Sequence, residues 1–204
     1  MGRERLAAGR RPARAVPVAA ALILAAGPVA CAGPDPAAPA PAATTAAAAV
    51  PAFSGTDVAW AQLTIALNER ALVVLGLAPA RAGQPAVADL ARDLEKAYRD
   101  ENSRLRDILA RAGADDDNPH AGHVMPGMAD EATLRRLTTS AGAAFDRLLV
   151  DTLVAHSDQC ARLAAAEERS GSDRAAVSLA ATIAAARGTE RERLIAVAGK
   201  VLDE

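Results

Sequence analysis

Two stretches of this chain repeat each other at a constant offset of 89 residues without a gap, which constrains the fold more than any other feature. Ala66/Ala155, Ala86/Ala175, Leu90/Leu179, Ala91/Ala180 and Ala97/Ala186 match in this register, and so do Glu101/Glu190, Arg104/Arg193 and Leu105/Leu194. Alanine matches carry little weight in a chain with 55 alanines, but Glu, Arg and Leu matches in one register do. Both stretches have helical periodicity. Thr56 or Asp57 can cap a first helix with Trp60, Leu63, Leu67, Ala71 and Val74 on one stripe. After a break at 76–83 around Pro79 and Pro85, a second helix runs from about Ala86 to Ala112. Val87, Leu90, Leu94, Ala97, Glu101, Leu105 and Ile108 fall on its stripe. A third helix starts near Ala143 with Phe145, Leu149, Thr152, His156, Cys160 and Leu163, and Gly171 ends it. Ser172 or Asp173 caps a fourth, which carries Leu179, Ile183, Ala186, Glu190, Leu194 and Val197. Two such hairpins bury their stripes most simply as a four-helix bundle, with helices about 37 Å long.

The hairpins are joined by residues 113–142, with a short helix at about Asp130 to Thr138. That connection is long enough to cross the bundle, so crossover and up-down topologies both remain open. Only four aromatic residues occur, Phe53, Trp60, Tyr98 and Phe145, which argues against a β-sandwich or barrel.

The folded region, 53–204, follows two segments of different character. Residues 1–30 read as a signal peptide. Arg3, Arg5, Arg10, Arg11 and Arg14 precede an apolar run from Val16 to Ala26, too short for a comfortable membrane span. Gly27-Pro28-Val29-Ala30-Cys31 then resembles a bacterial lipobox, which makes Cys31 the lipidation site and the membrane the N-terminal partner. The alternative is an ordinary secretory signal cut near Ala30. Both readings place the protein outside the cytoplasm, lipid-anchored on the membrane or secreted. Residues 31–52 form an Ala/Pro-rich tether with eleven alanines and five prolines and no core-forming side chain. The first 30 residues hold five Arg against one Glu, so 18 basic and 24 acidic residues remain in the mature chain. That acidic balance argues against nucleic-acid binding.

Several motifs together carry a family resemblance from Phe53 to about Val201: Phe53-Ser54-Gly55-Thr56-Asp57-Val58-Ala59-Trp60-Ala61-Gln62-Leu63, the linker Met125-Pro126-Gly127-Met128, and Phe145-Asp146-Arg147-Leu148-Leu149. Leu90-Ala91 with Glu101, and Leu179-Ala180 with Glu190, add to them. The chain resembles the domain of unknown function 305 family. The resemblance implies an all-α, ferritin-like four-helix bundle built from two duplicated hairpins, found in secreted and lipid-anchored bacterial proteins. It also implies an association with copper and other metals through a His-His pair on the first helix of each hairpin, preceded by methionines. Those pairs fall here on Leu67-Asn68 and His156-Ser157, and the methionine positions on Thr64, Thr152 and Leu153. A glutamine expected three residues before each glutamate is Tyr98 and Arg187. The methionine expected four residues after each glutamate is Leu105 and Leu194.

Two groups of residues could hold a metal. His156, Glu101 and Glu190 lie on the stripes of three helices and would suit a borderline or hard divalent ion. The alternative is a buried polar cluster, with His156 bonded to a glutamate and each glutamate near Arg104 or Arg193. His120, His123, Met125 and Met128 lie within nine residues of the connection, and imidazoles with thioethers suit copper. The alternative there is a loop whose methionines dock on the bundle as soft filler. Cys160 reads as a buried, inert thiol. A ferritin-type di-iron centre needs Glu-x-x-His pairs, which do not occur. No catalytic residues are expected. Two functions remain, non-enzymatic metal binding or handling, and a scaffold or protein-interaction module at the cell surface.

Overall fold

The computed structural model describes residues 53–114 and 117–202, with side chains to residue 199. The signal peptide, the tether and Cys31 lie outside the described residues. Four long helices, α1 (Gly55–Leu75), α3 (Pro85–Ala112), α5 (Gly142–Ser170) and α6 (Arg174–Leu202), make the bundle. Two short helices, α2 (Ala78–Arg81) and α4 (Glu131–Thr139), sit in the connections. No strand occurs among the described residues.

Local chemistry sets the helix ends. Ser54, not Thr56 or Asp57, is the N-cap of α1. Its Oγ accepts from the Asp57 N–H at 3.3 Å, and the Asp57 carboxylate accepts from the Ser54 N–H at 2.6 Å. This reciprocal capping box satisfies two donors that a helix start leaves free. Pro85 opens α3, where a missing N–H costs nothing. Gly113 closes it with φ +68°, a left-handed conformation that glycine adopts without strain. Asp173 caps α6, accepting from Ala175 N at 3.0 Å and Ala176 N at 2.9 Å. The one element the sequence pattern missed is α2, a single turn started by Pro79 within the expected break.

Two aspartates tie the hairpins to each other. Asp57 at the start of α1 accepts from the backbone N–H groups of Ser172 (2.9 Å) and Asp173 (3.1 Å), just ahead of α6. Asp146 near the start of α5 accepts from those of Gly83 (3.0 Å) and Gln84 (2.9 Å), just ahead of α3. Each hairpin's first helix therefore caps the other hairpin's second, and the two contacts are equivalent under the repeat. Gly83 is needed there, because a Cβ would lie 2.7 Å from the Gly142 Cα.

These caps also fix the topology. The starts of α1 and α6 lie at one end of the bundle, and those of α3 and α5 at the other. The chain from α3 to α5 must therefore cross the bundle's length, so the topology has one long crossover, as in ferritin-like bundles. The crossover runs beside α1. Asn118 Nδ2 donates to the Gln62 carbonyl at 2.8 Å, and Arg70 Nε to the Ala129 carbonyl at 2.6 Å. With α3 and α5 also packed on it, α1 is covered on several sides. This suits a helix apolar nearly all round, one that could cross a membrane by length and composition alone.

The core has two apolar clusters. One holds Val74, Leu90, Leu94, Leu137, Phe145, Leu149 and Leu194, and the other Trp60, Ile65, Leu105, Ile108, Ala176 and Ile183. Between them along every long helix lies a buried polar layer.

Candidate functional site: the polar layer and the crossover cleft

The polar layer centres on Arg187, whose side chain is almost wholly enclosed. Its Nη1 donates to Glu101 Oε1 and to Glu190 Oε2, both at 3.1 Å. Its Nη2 donates to Glu101 Oε2 at 2.5 Å and to Asn68 Oδ1 at 3.2 Å. The guanidinium carbon stands 4.5 Å from the centroid of the Tyr98 ring, within cation–π range. Other donors complete the carboxylates. Tyr98 Oη and Ser157 Oγ (2.7 Å) donate to Glu190 Oε1. Asn68 Nδ2 donates to Glu101 Oε2 at 3.2 Å and to Asn102 Oδ1 at 2.9 Å. Every oxygen of the two glutamates has a donor.

Glu101 and Glu190 thus meet, as their register suggested, but around a guanidinium. Arg104 and Arg193 are not their partners: Arg104 is exposed, and Arg193 pairs with Asp93 at 2.6 Å on the surface. His156 does not bond to a glutamate either. Its Nε2 lies 3.6 Å from Cys160 Sγ, and its ring packs 4.9 Å from that of Tyr98. Among the described residues no three His, Cys, Asp or Glu side chains form a group that could hold a metal ion. The interior donor set does not fit the metal that the family resemblance implies, because its carboxylates are spent on Arg187.

The electrostatics follow from enclosure around one cation. Burial opposes charge on Arg187, but Tyr98, Cys160, Glu101 and Glu190 outweigh it and hold its pKa well above the usual value. Burial, with Arg187 adding to it, lowers His156 well below the ordinary imidazole value and keeps the ring neutral. Burial pushes the Cys160 thiol up to about 11 against the pull of Arg187. Burial raises Tyr98 well above 10, with Arg187 opposing and Glu190 reinforcing. At neutral pH the Cys160 thiol therefore keeps its proton.

The stripes chosen from the sequence ran through Ala97 and Ala186, which are exposed, whereas Tyr98 and Arg187 face inward. The signal was present. Positions 98 and 187 are equivalent under the repeat, and both depart from the glutamine that the family resemblance leads one to expect there.

The second group lies in the crossover. His120, His123 and Met128 line one cleft of about 380 Å³ against α1, opposite Val73 and beside Glu69 and Glu131. Met125 is half-buried and does not line it. Two turns shape the segment: His123 N donates to the His120 carbonyl at 3.2 Å, and Met128 N to the Met125 carbonyl at 3.0 Å. The His120 N–H is held by Asn118 Oδ1 at 2.9 Å, and Arg70 bonds Glu131 at 2.8 Å at the far side.

A third feature escaped the sequence reading. Glu167 is buried beside Asp57, and apart from that carboxylate neither of its oxygens has a hydrogen-bond partner. Burial and the neighbouring Asp57 push it up to about 8. Burial would raise Asp57 too, but hydrogen bonds from Ser54, the protonated Glu167 and Asp173 hold it well below the usual carboxylate range.

The fold and the centre define a crossover four-helix bundle with a duplicated hairpin and a charged interior. The profile of the domain of unknown function DUF305 matches residues 57–198, and the chain belongs to that family. A DUF305 fragment from Deinococcus radiodurans has a similar structure at TM-score 0.66 and 20% identity, over 72% of this chain and 98% of that one. So does a DUF305 protein of Streptomyces coelicolor, proposed to be secreted, at TM-score 0.65 and 17% identity, over 72% and 92%. No curated protein matches the sequence.

Proposed function

We propose that this chain is an extracytoplasmic, non-enzymatic bundle, anchored through Cys31, that binds a soft or borderline transition metal, copper above all, at its crossover. One observation carries the reading: both crossover imidazoles and the Met128 thioether line a single cleft. That donor set suits Cu(I), or Cu(II) through the histidines. The bonds from Asn118 and Arg70 hold the segment on α1 and lessen the entropy lost on binding. The basic and apolar N-terminal run before Cys31 supports export, as does the description of the Streptomyces relative.

Cu(I) competition at neutral pH on wild type, His120→Ala/His123→Ala and His156→Ala tests the site. The double variant should lose most binding and His156→Ala little. The reverse order, or no binding by wild type, sinks the metal reading. A scaffold is the second reading, favoured by Val73 and Val124, which remain 55% and 57% exposed on the two sides of the same cleft. Pull-down of a cell-envelope partner by wild type but not by Val73→Asp/Val124→Asp would favour it.

A further inference from the structure

We propose that the centre of the bundle is a guanidinium-binding site, filled in this chain by its own Arg187. The site has the parts a planar guanidinium needs. Glu101 offers both oxygens, Glu190 and Asn68 one each, and the Tyr98 ring supplies an aromatic face at 4.5 Å. These groups come from three helices, α1, α3 and α6, so the cation joins both hairpins. Both carboxylates meet at Nη1, and Glu101 also reaches Nη2, so that one carboxylate spans both terminal nitrogens of a flat cation in the paired manner a guanidinium accepts. Arg187 Nε has no acceptor, so the recognition lies in the two terminal nitrogens. Glu101 also lines a groove of about 200 Å³ between α3 and α6, which gives a small cation a way in. In the wild-type protein the site is closed, because its ligand is covalently attached.

Chemical rescue of Arg187→Ala in the full chain tests this, with methylguanidinium as probe at concentrations too low to denature. The variant should melt below wild type, or fail to fold, and saturating methylguanidinium should raise its Tm by about 4 °C or more, or recover folding. Wild type should not respond. The variant Arg187→Ala/Glu101→Gln/Glu190→Gln keeps the result interpretable. It has no uncompensated carboxylate, should fold unaided, and should ignore the probe. No recovery of Arg187→Ala, or an equal response from the triple variant, overturns the assignment. Rescue by Co(II) and not by methylguanidinium also overturns it, in favour of a metal centre plugged by arginine. The crossover cleft shares no residue with this site, so failure of the copper reading is a separate result.

Discussion

Glu167 is a carboxyl that the fold prefers protonated, and removing its charge should stabilise the protein increasingly as pH rises. Its folded pKa is about 8, against an ordinary value of 4.5. Below the ordinary value both folded and unfolded chains hold the proton, and Glu167 has no pH-dependent effect. Between the two values the unfolded chain releases the proton and the folded chain keeps it, so stability falls as pH rises. The slope is at most about 1.4 kcal/mol per pH unit, and the whole interval amounts to about 5 kcal/mol as an upper bound. Glu167→Gln preserves size and leaves a neutral donor beside the ionised Asp57. Urea titrations of wild type and variant at pH values between about 4.5 and 8.5 would read the difference. Other titrations largely cancel in it. His156, whose lowered pKa costs stability as pH falls through 6.5, appears in both proteins. The variant should match wild type near pH 4.5 and exceed it by a few kcal/mol near pH 8. A difference that stays flat with pH would refute the argument, because it would mean that Glu167 ionises in the folded state as readily as in the unfolded.

Leu105→Ala should cost about 2–5 kcal/mol in chemical denaturation, since Leu105 is fully buried between α3 and its neighbours. Asp146→Ala should cost about 1–2 kcal/mol by removing the carboxylate that accepts from the Gly83 and Gln84 N–H groups, and Asp57→Ala at least as much, because it also breaks the α1 capping box. Cys160 should resist alkylation by a thiol reagent at pH 8 in the native protein and react once it unfolds, following burial and a pKa of about 11. Replacing Cys31 by Ser should release the protein from the membrane or leave its precursor uncleaved; a processed form that fractionates as wild type would refute lipid anchoring.

The helices could be read from residue pattern because their ends carry short-range signals. Pro85 and Gly113 bound α3, and Gly171 and Asp173 mark the turn between α5 and α6. The repeat, being gapless, pointed to two equivalent hairpins. Crossover or up-down packing depended on which helix starts lie together, and the hydrogen bonds of Asp57 and Asp146 that decide it span more than 60 residues. The centre was harder. Glu190 and His156 are buried and Glu101 half-buried, as their stripes imply, but periodicity of 3.6 cannot choose between an alanine and its neighbour when the neighbour is polar. An arginine next to Ala186 reads as a surface residue unless two carboxylates and an aromatic face are known to surround it. Glu167 was missed for the same reason: nothing local says that a glutamate near a helix end is enclosed.

The repeat also explains why the two central residues differ from each other. Tyr98 and Arg187 occupy the same position in the two halves, and they touch each other. Glu101 and Glu190 are likewise equivalent and share one guanidinium. Equivalent residues can meet like this only where the pseudo-two-fold axis passes through the core. On that axis two copies of either residue fare worse than one of each, unlike the neutral glutamine pair that the family resemblance leads one to expect. Two tyrosines would leave two buried carboxylates with no cation, the arrangement most costly to enclose. Two arginines would balance the two carboxylates in charge, but they would press a second guanidinium against the first and bring more buried N–H donors than the site has acceptor oxygens. One arginine and one tyrosine give a single cation between two acids and a hydroxyl for the remaining Glu190 oxygen. Ser157 shares that oxygen, while its equivalent Asn68 serves Glu101. The duplicated scaffold therefore holds together through an unsymmetrical centre. Exchanging the pair, Tyr98→Arg with Arg187→Tyr, should be tolerated far better than either single change. Equal destabilisation by the double and single variants would show that the two halves are not interchangeable about that axis.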